Sequence, residues 1–167
     1  MKKFISLIAL ILSTTFFLSG CTPRIMVIPD TDSIGETKTF TKDGITLLLT
    51  DKFVEKQSEV GFDAYYVSNF CGVVVLKEEF TLEEGLAERS LEDYVANLIE
   101  NNGHKGIKPQ HQDDLWYYVN DSGDTKVYSF SYKGSDSFYI VQYICMASDV
   151  FALEDLFFLW AGAVEVE

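Results

Sequence analysis

Three cysteines and three prolines are all that the 167 residues contain. So few cysteines exclude a disulfide-knit scaffold, in which bridges stand in for a core. With only eleven glycines beside the three prolines, collagen repeats and low-complexity character are excluded as well. Positive charge is scarce: 13 lysines and arginines face 26 aspartates and glutamates, for a net charge of −13. A nucleic-acid binder needs a basic patch, so nucleic acid is not an expected partner. The chain has two histidines, no Gly-x-Ser-x-Gly elbow and no phosphate-cradling glycine loop. What it does have is apolar matter, 47% hydrophobic and 14% aromatic. That composition excludes disorder, and the length predicts a single domain.

The N-terminus reads as an address. Lys2 and Lys3 precede an apolar run from Phe4 to Phe17, interrupted by Ser6, Ser13, Thr14 and Thr15. The run is shorter than the ~20 residues of a membrane span and has the layout of a secretory signal. Leu18-Ser19-Gly20-Cys21 follows, and it resembles the lipobox of bacterial lipoprotein signals. The resemblance implies that a diacylglyceryl group is attached to the Cys21 thiol and that the chain is cut before Cys21. Small Ser19 and Gly20 would give the peptidase access to the backbone. The expected organisation is a signal peptide over 1–20, a lipid-anchored tether over 21–36 and one domain over 37–167. Two or more acyl chains anchor stably where one is marginal. An acidic body is repelled by anionic lipid, so the domain is expected to stand off the membrane it is tied to. The expected place is the extracytoplasmic face of the cell membrane. Within the tether, the apolar run Ile25-Met26-Val27-Ile28 is expected to dock on the domain or on the membrane surface.

Along the domain, Lys38–Lys42, Asp43-Gly44 and Ile45–Thr50 read as a hairpin, Asp-Gly being a favoured type I′ pair. Residues 51–61 read as loop and 62–70 as a strand. Cys71-Gly72 reads as a turn or bulge, and a strand from Val73 follows. Ser90 and Asp93 approximate a capping box for a helix whose apolar face is Leu91, Tyr94, Val95, Leu98 and Ile99. Gly103 ends that helix. Residues 102–114 read as a polar loop. Leu115–Asn120, Thr125–Tyr132 and Phe138–Met146 are three strands separated by turn residues, an antiparallel meander. Ser148 or Asp149 is expected to cap a last helix, Val150–Trp160, with a short closing strand in 163–167. Cys71 and Cys145 both lie in strand-like runs, and either two buried thiols or a bridge suits them outside the cytoplasm.

The run Phe138 to Met146 is apolar on both faces, as are Ile45–Leu49 and Val73–Leu76. A sheet with one wet face alternates, so both faces must be covered. The expected fold is α+β: a twisted antiparallel sheet of about six or seven strands covered by helices on both faces. This layout resembles the PsbP-like superfamily, which also holds the Ran-binding Mog protein and the DcrB-like bacterial lipoproteins. The resemblance is carried by Phe40-x-x-Asp43-Gly44-Ile45-Thr46-Leu47-Leu48-Leu49, Ser90-Leu91-Glu92-Asp93-Tyr94, the Tyr128-Ser129-Phe130 region, Phe138-Tyr139-Ile140-Val141-Gln142-Tyr143 and a closing helix ending at Trp160-Ala161. Thr50-Asp51-Lys52-Phe53 stands where that family usually has a proline and an aromatic. The resemblance implies accessory and partner-binding roles, with no shared active site and no functional residue to carry over.

The residues that invite chemistry have plainer readings. His104 and His111, with Asp113 and Asp114, offer zinc-type ligands in a spacing that matches no zinc pattern. Asp30-x-Asp32 fails as a calcium loop because position twelve is Thr41, and Asp121 and Asp124 read as turn formers. The carboxylates from Glu78 to Asp93 read as a solvated face, with binding of a cation or a basic partner as the alternative. Tyr128, Phe130 and Tyr132, with Trp116 and Tyr118, read as core and otherwise as a ligand-binding plate. On the last helix, Phe151 and Phe158 fall in the sector of Glu154 and Asp155, so a partner surface or coverage by the chain itself is expected there. The function expected is that of a non-catalytic binding or accessory lipoprotein without cofactor or metal. Its partners would be the membrane, through lipid on Cys21, and an envelope protein. The alternative is a small-solute or cation-binding lipoprotein.

Overall fold

The computed structural model describes residues 34–57 and 61–167. Cys21, the lipobox-like residues Leu18 to Gly20 and the Ile25–Ile28 run lie outside the described residues. In chain order the elements are β1 (Thr37–Lys42), β2 (Ile45–Thr50), β3 (Val54–Glu55), β4 (Ala64–Val67), β5 (Gly72–Glu79), α1 (Leu91–Asn101), β6 (Gln110–Gln112), β7 (Leu115–Asp121), β8 (Thr125–Lys133), β9 (Ser137–Met146), α2 (Val150–Gly162) and β10 (Glu165–Val166). They form a seven-stranded antiparallel sheet in the order β3-β4-β5-β9-β8-β7-β6 and a three-stranded one in the order β1-β2-β10.

The fold is thus mixed α+β around a large antiparallel sheet, and the three-stranded sheet corrects the expectation of a single one. Ile45, Leu47 and Leu49 all point from β2 into the main core. That apolar row is buried by laying the hairpin on the face of the large sheet. The cover corrects the expectation too, because it is not made of helices alone. β9 divides its side chains by parity. Phe138 and Ile140 face α1 with Tyr94, Val95 and Tyr118, and the Tyr94 and Phe138 rings stack at 3.9 Å. Tyr139, Val141, Tyr143 and Cys145 face the other way, under the small sheet and Leu153, Phe157 and Trp160 of α2. Beyond α1 the first face runs out to Gln142, Val127 and Asn120, which are half-buried.

Local signals explain the boundaries. Asp43 and Gly44 both have positive φ, +49° and +86°, as a type I′ turn requires. A Cβ on Gly44 would run into the Tyr139 hydroxyl. The Asp93 amide donates to Ser90 Oγ at 3.1 Å, and that hydroxyl donates to Asp93 Oδ2 at 2.7 Å, so α1 is capped as its sequence predicts. Four local expectations need correction. The turn before β5 is Ser68 to Cys71, closed by a Ser68 N–H bond to the Cys71 carbonyl at 3.0 Å, and Gly72 is already strand. The polar loop after α1 contains β6, which pairs with β7 across an Asp113-Asp114 turn. The stretch read as loop after β2 includes Phe53, buried in the core. At α2 neither Ser148 nor Asp149 caps the helix by its side chain; the Ser148 hydroxyl bonds Asp149 Oδ1 instead.

Tyrosine hydroxyls tie the layers together, each ring packed in the core with its tip at a polar group. Tyr94 donates to Glu78 at 2.7 Å, Tyr128 to Glu154 at 2.8 Å, Tyr132 to the Ala161 carbonyl at 2.9 Å and Tyr139 to the Asp43 carbonyl at 3.1 Å. Tyr143 is the exception. It is fully buried at the centre of β9, and its hydroxyl has no hydrogen-bond partner among the described residues. An orphaned buried hydroxyl costs about 1–3 kcal/mol. Tyr143→Phe is therefore expected to keep the melting temperature or raise it by a few degrees. A drop comparable to that from Tyr132→Phe, which removes the hydroxyl's bond to the Ala161 carbonyl, would show that the Tyr143 hydroxyl is satisfied.

Candidate functional site

Helix α2 carries the surface that the sequence singled out. It leaves β9 through a short 3-10 turn, Ala147–Asp149. Apart from Glu154 and Asp155 it has no charged residue, so its pattern specifies a buried face only loosely. Packing supplies the rotation. Leu153, Phe157, Trp160 and Ala161 are buried; Phe157 stacks on Tyr143 at 5.2 Å, and Trp160 meets Phe53 edge-on at 5.5 Å. The Tyr128 and Tyr132 hydroxyls hold Glu154 and the last turn from β8. With the helix so placed, Phe151 is 97% exposed and Leu159, two turns on, is 66% exposed. Exposed Asp155 lies between them in sequence.

Phe151 and Phe158 part company here. Phe158 is half-buried and is met edge-on by Tyr117 at 5.1 Å, Phe130 at 5.4 Å and Tyr128 at 6.5 Å. These are residues of β7 and β8, so the large sheet itself covers that ring. Phe151 has no such neighbour among the described residues. The exposed apolar pair on α2 is therefore Phe151 with Leu159. Sequence reasoning left Leu159 out, although its position eight residues after Phe151 places it on the same side.

The other residues singled out do not assemble into a site. His104 lies beside Tyr118, with ring centres 5.7 Å apart, and partial burial lowers its pKa from the usual imidazole value. His111 sits on Trp116 at 4.6 Å. Asp113, at a φ of +53°, belongs to the β6–β7 turn. Among the described residues no three His, Cys, Asp or Glu side chains converge as a metal would need. The acidic segment has structural partners: Glu78 takes the Tyr94 hydroxyl, Glu83 pairs with Arg89, and Asp93 serves the α1 cap. The aromatic plate divides by parity. Trp116 and Tyr118 lie on the α1 face, and Tyr128, Phe130 and Tyr132 on the α2 face. A groove of about 430 Å³ runs beside Lys42, Glu55, Asp63 and Tyr65. Lys42 and Glu55 pair across it at 2.8 Å, and Asp63 takes the Lys77 amide at 2.6 Å. Among the described residues no helix is long and apolar enough to cross a membrane.

No family model and no curated protein matches the chain by sequence. Solved structures do match. The solution structure of cyanobacterial PsbP (CyanoP) from Synechocystis sp. PCC 6803 aligns over 90% of this chain and 99% of its own, with a TM-score of 0.56 at 13% identity. The fold is PsbP-like. A mutant of protein Mog1 aligns over 78% of this chain and 96% of its own, with a TM-score of 0.51, also at 13% identity. At such identity the likeness is one of PsbP-like architecture, and it carries no residue-level role across.

The two phenylalanines of α2 give a direct contrast. Phe158→Ala is expected to cost about 2 kcal/mol in urea unfolding, since it removes a half-buried ring with three aromatic neighbours. Phe151→Ser is expected to stay within about 0.5 kcal/mol of the unmodified chain. Equal losses would mean that Phe151 is covered in solution.

Proposed function

We propose that this chain is a lipid-anchored lipoprotein of the cell envelope that binds a protein partner and has no catalysis of its own. The observation that carries the binding reading is the bare Phe151 ring, with Leu159, on a domain whose other rings are largely built into two cores. Burying a phenylalanine is worth about 1.5–3 kcal/mol, so a partner that covers Phe151 gains from it. The PsbP-like and Mog1-like neighbours favour an accessory or binding module of this kind. Leu18-Ser19-Gly20-Cys21 supports the anchor. In this reading lipid on Cys21 ties the chain to the extracytoplasmic face of the membrane, and the acidic domain is repelled from anionic headgroups. A small-solute or cation binder has less behind it, because at the groove Lys42 and Glu55 pair with one another and Asp63 is taken up by a backbone amide.

Two experiments test the two halves. Cys21→Ser is expected to abolish incorporation of labelled palmitate and to leave unprocessed precursor; label retained on the variant would remove the anchor. For the partner, a photo-crosslinking residue at position 151 is expected to give a discrete adduct in intact cells. The same residue at position 84, also exposed, is expected to give none. Identical patterns at both positions would remove Phe151 as a partner contact.

A further inference from the structure

We propose that Cys71 and Cys145 close a cross-strand disulfide between the start of β5 and the end of β9 when the chain folds with a disulfide oxidant present. In the structure both thiols are free and buried. The β5–β9 register runs to Gly72↔Ile144, and one further step sets Cys71 opposite Cys145. Their backbones turn away from each other. The Cys71 carbonyl accepts from Ser68 N at 3.0 Å, on the β4 side. In β9 the hairpin bond from Gly134 N to the Ser137 carbonyl, at 2.9 Å, sets the alternation. Ser137 and every second residue after it, Cys145 included, direct their peptide groups towards β8.

Cys71 and Cys145 therefore occupy a non-hydrogen-bonded pair. At such a pair the Cα atoms stand ~4.5 Å apart and the side chains approach closest. That separation lies within the ~4.4–6.8 Å that a disulfide spans. Both side chains point to the same core, around Tyr143 and Phe157. The Cys71 position is held further by the Ser68 hydroxyl, which accepts from Cys71 N at 3.2 Å and bonds the Cys71 carbonyl at 3.1 Å. The bridge thus asks little movement of either strand.

Burial decides when the bridge forms. It pushes the Cys145 thiol up to about 12 and moves Cys71 further in the same direction. The nucleophile in exchange is the thiolate, so the folded core keeps both groups as unreactive thiols. The step belongs to the folding chain. One cysteine thiolate attacks a low-molecular-weight disulfide and expels one thiolate, leaving a mixed disulfide. The second cysteine thiolate displaces the other half. The two protein sulfurs are oxidised, the small disulfide is reduced to two thiols, and the two cysteine protons go to the departing thiolates. The bridge closes a loop of roughly 75 residues, which on the chain-entropy account raises the melting temperature by roughly 10 °C.

The inference leans on the proposed function only for the compartment in which an oxidant is met. The test uses the full chain with Cys21→Ser, so that Cys71 and Cys145 are the thiols left. The reduced, unfolded chain is refolded with oxidised or with reduced glutathione. With oxidised glutathione the product is expected to be two hydrogens lighter, to yield a peptide linking Cys71 to Cys145, and to melt roughly 10 °C higher until a reductant is added. Two free thiols under both conditions, stable glutathione adducts in place of the link, or a linked chain that melts lower would each overturn the proposal. So would an equal rise in a chain that also carries Cys71→Ala and Cys145→Ala. Acid quenching of cells followed by alkylation in denaturant, which reaches buried thiols, separates the compartment from the geometry. A chain that bridges on refolding yet is alkylated at both positions after such quenching would contradict the envelope location and leave the pairing intact.

Discussion

Both faces of β9 are apolar, and the strand sits at the centre of a seven-stranded sheet. Neither face can be left to water, because each holds large rings and aliphatic chains worth roughly 1.5–3 kcal/mol apiece on burial. The layers follow from that demand. Phe138 and Ile140 require α1 on one side, and Tyr139, Val141 and Tyr143 require the β1-β2-β10 sheet and α2 on the other. The hairpin β1–β2 joins the cover because β2 carries an apolar row that also needs burying.

Aromatic burial alone would leave the layers free to slide, since apolar contact is not directional. Tyrosine tips remove that freedom. Tyr94 reaches Glu78, Tyr139 reaches the β1–β2 turn, and Tyr128 and Tyr132 reach α2 at two points about two turns apart. The last two matter for the surface. They hold the rotation of a helix that is apolar nearly all round, and that rotation turns Phe151 and Leu159 outward while Phe158 meets Tyr117 and Phe130.

The same accounting applies to the ionisable groups. Of the carboxylates from Glu78 to Asp93, Glu78 becomes a hydroxyl acceptor, Glu83 half of an ion pair and Asp93 part of a helix cap, while Glu84, Glu88 and Glu92 stay exposed to solvent. The two histidines pack on separate aromatic rings, His104 on Tyr118 and His111 on Trp116. Polar chemistry near the core thus serves to register the layers. The apolar pair on α2 remains exposed, and Phe151 is the most exposed large apolar side chain among the described residues.

Much of this architecture is legible without coordinates, wherever the deciding interactions are local. The Asp43-Gly44 turn, the Ser90 cap, the β7–β8–β9 meander and the two-faced burial of β9 each follow from residues within a few positions of one another. The split into two sheets does not, because edge addition and face packing of the β1–β2 hairpin use the same residues and differ only in distant partners. Nor does the seat of Phe158. It shares a sector of the helical wheel with Phe151, and only the position of α2 over β7 and β8 gives one ring three aromatic neighbours and the other water. The Cys71–Cys145 pairing is of the same kind, being set by the register of β5 on β9 across more than seventy residues of chain. By itself the sequence determined the acidic composition, most of the strands, both long helices and a motif at Leu18 to Cys21 that resembles a lipobox. The tertiary structure decided which apolar side chains are covered, because burial is a property of neighbours that the chain brings together from far apart.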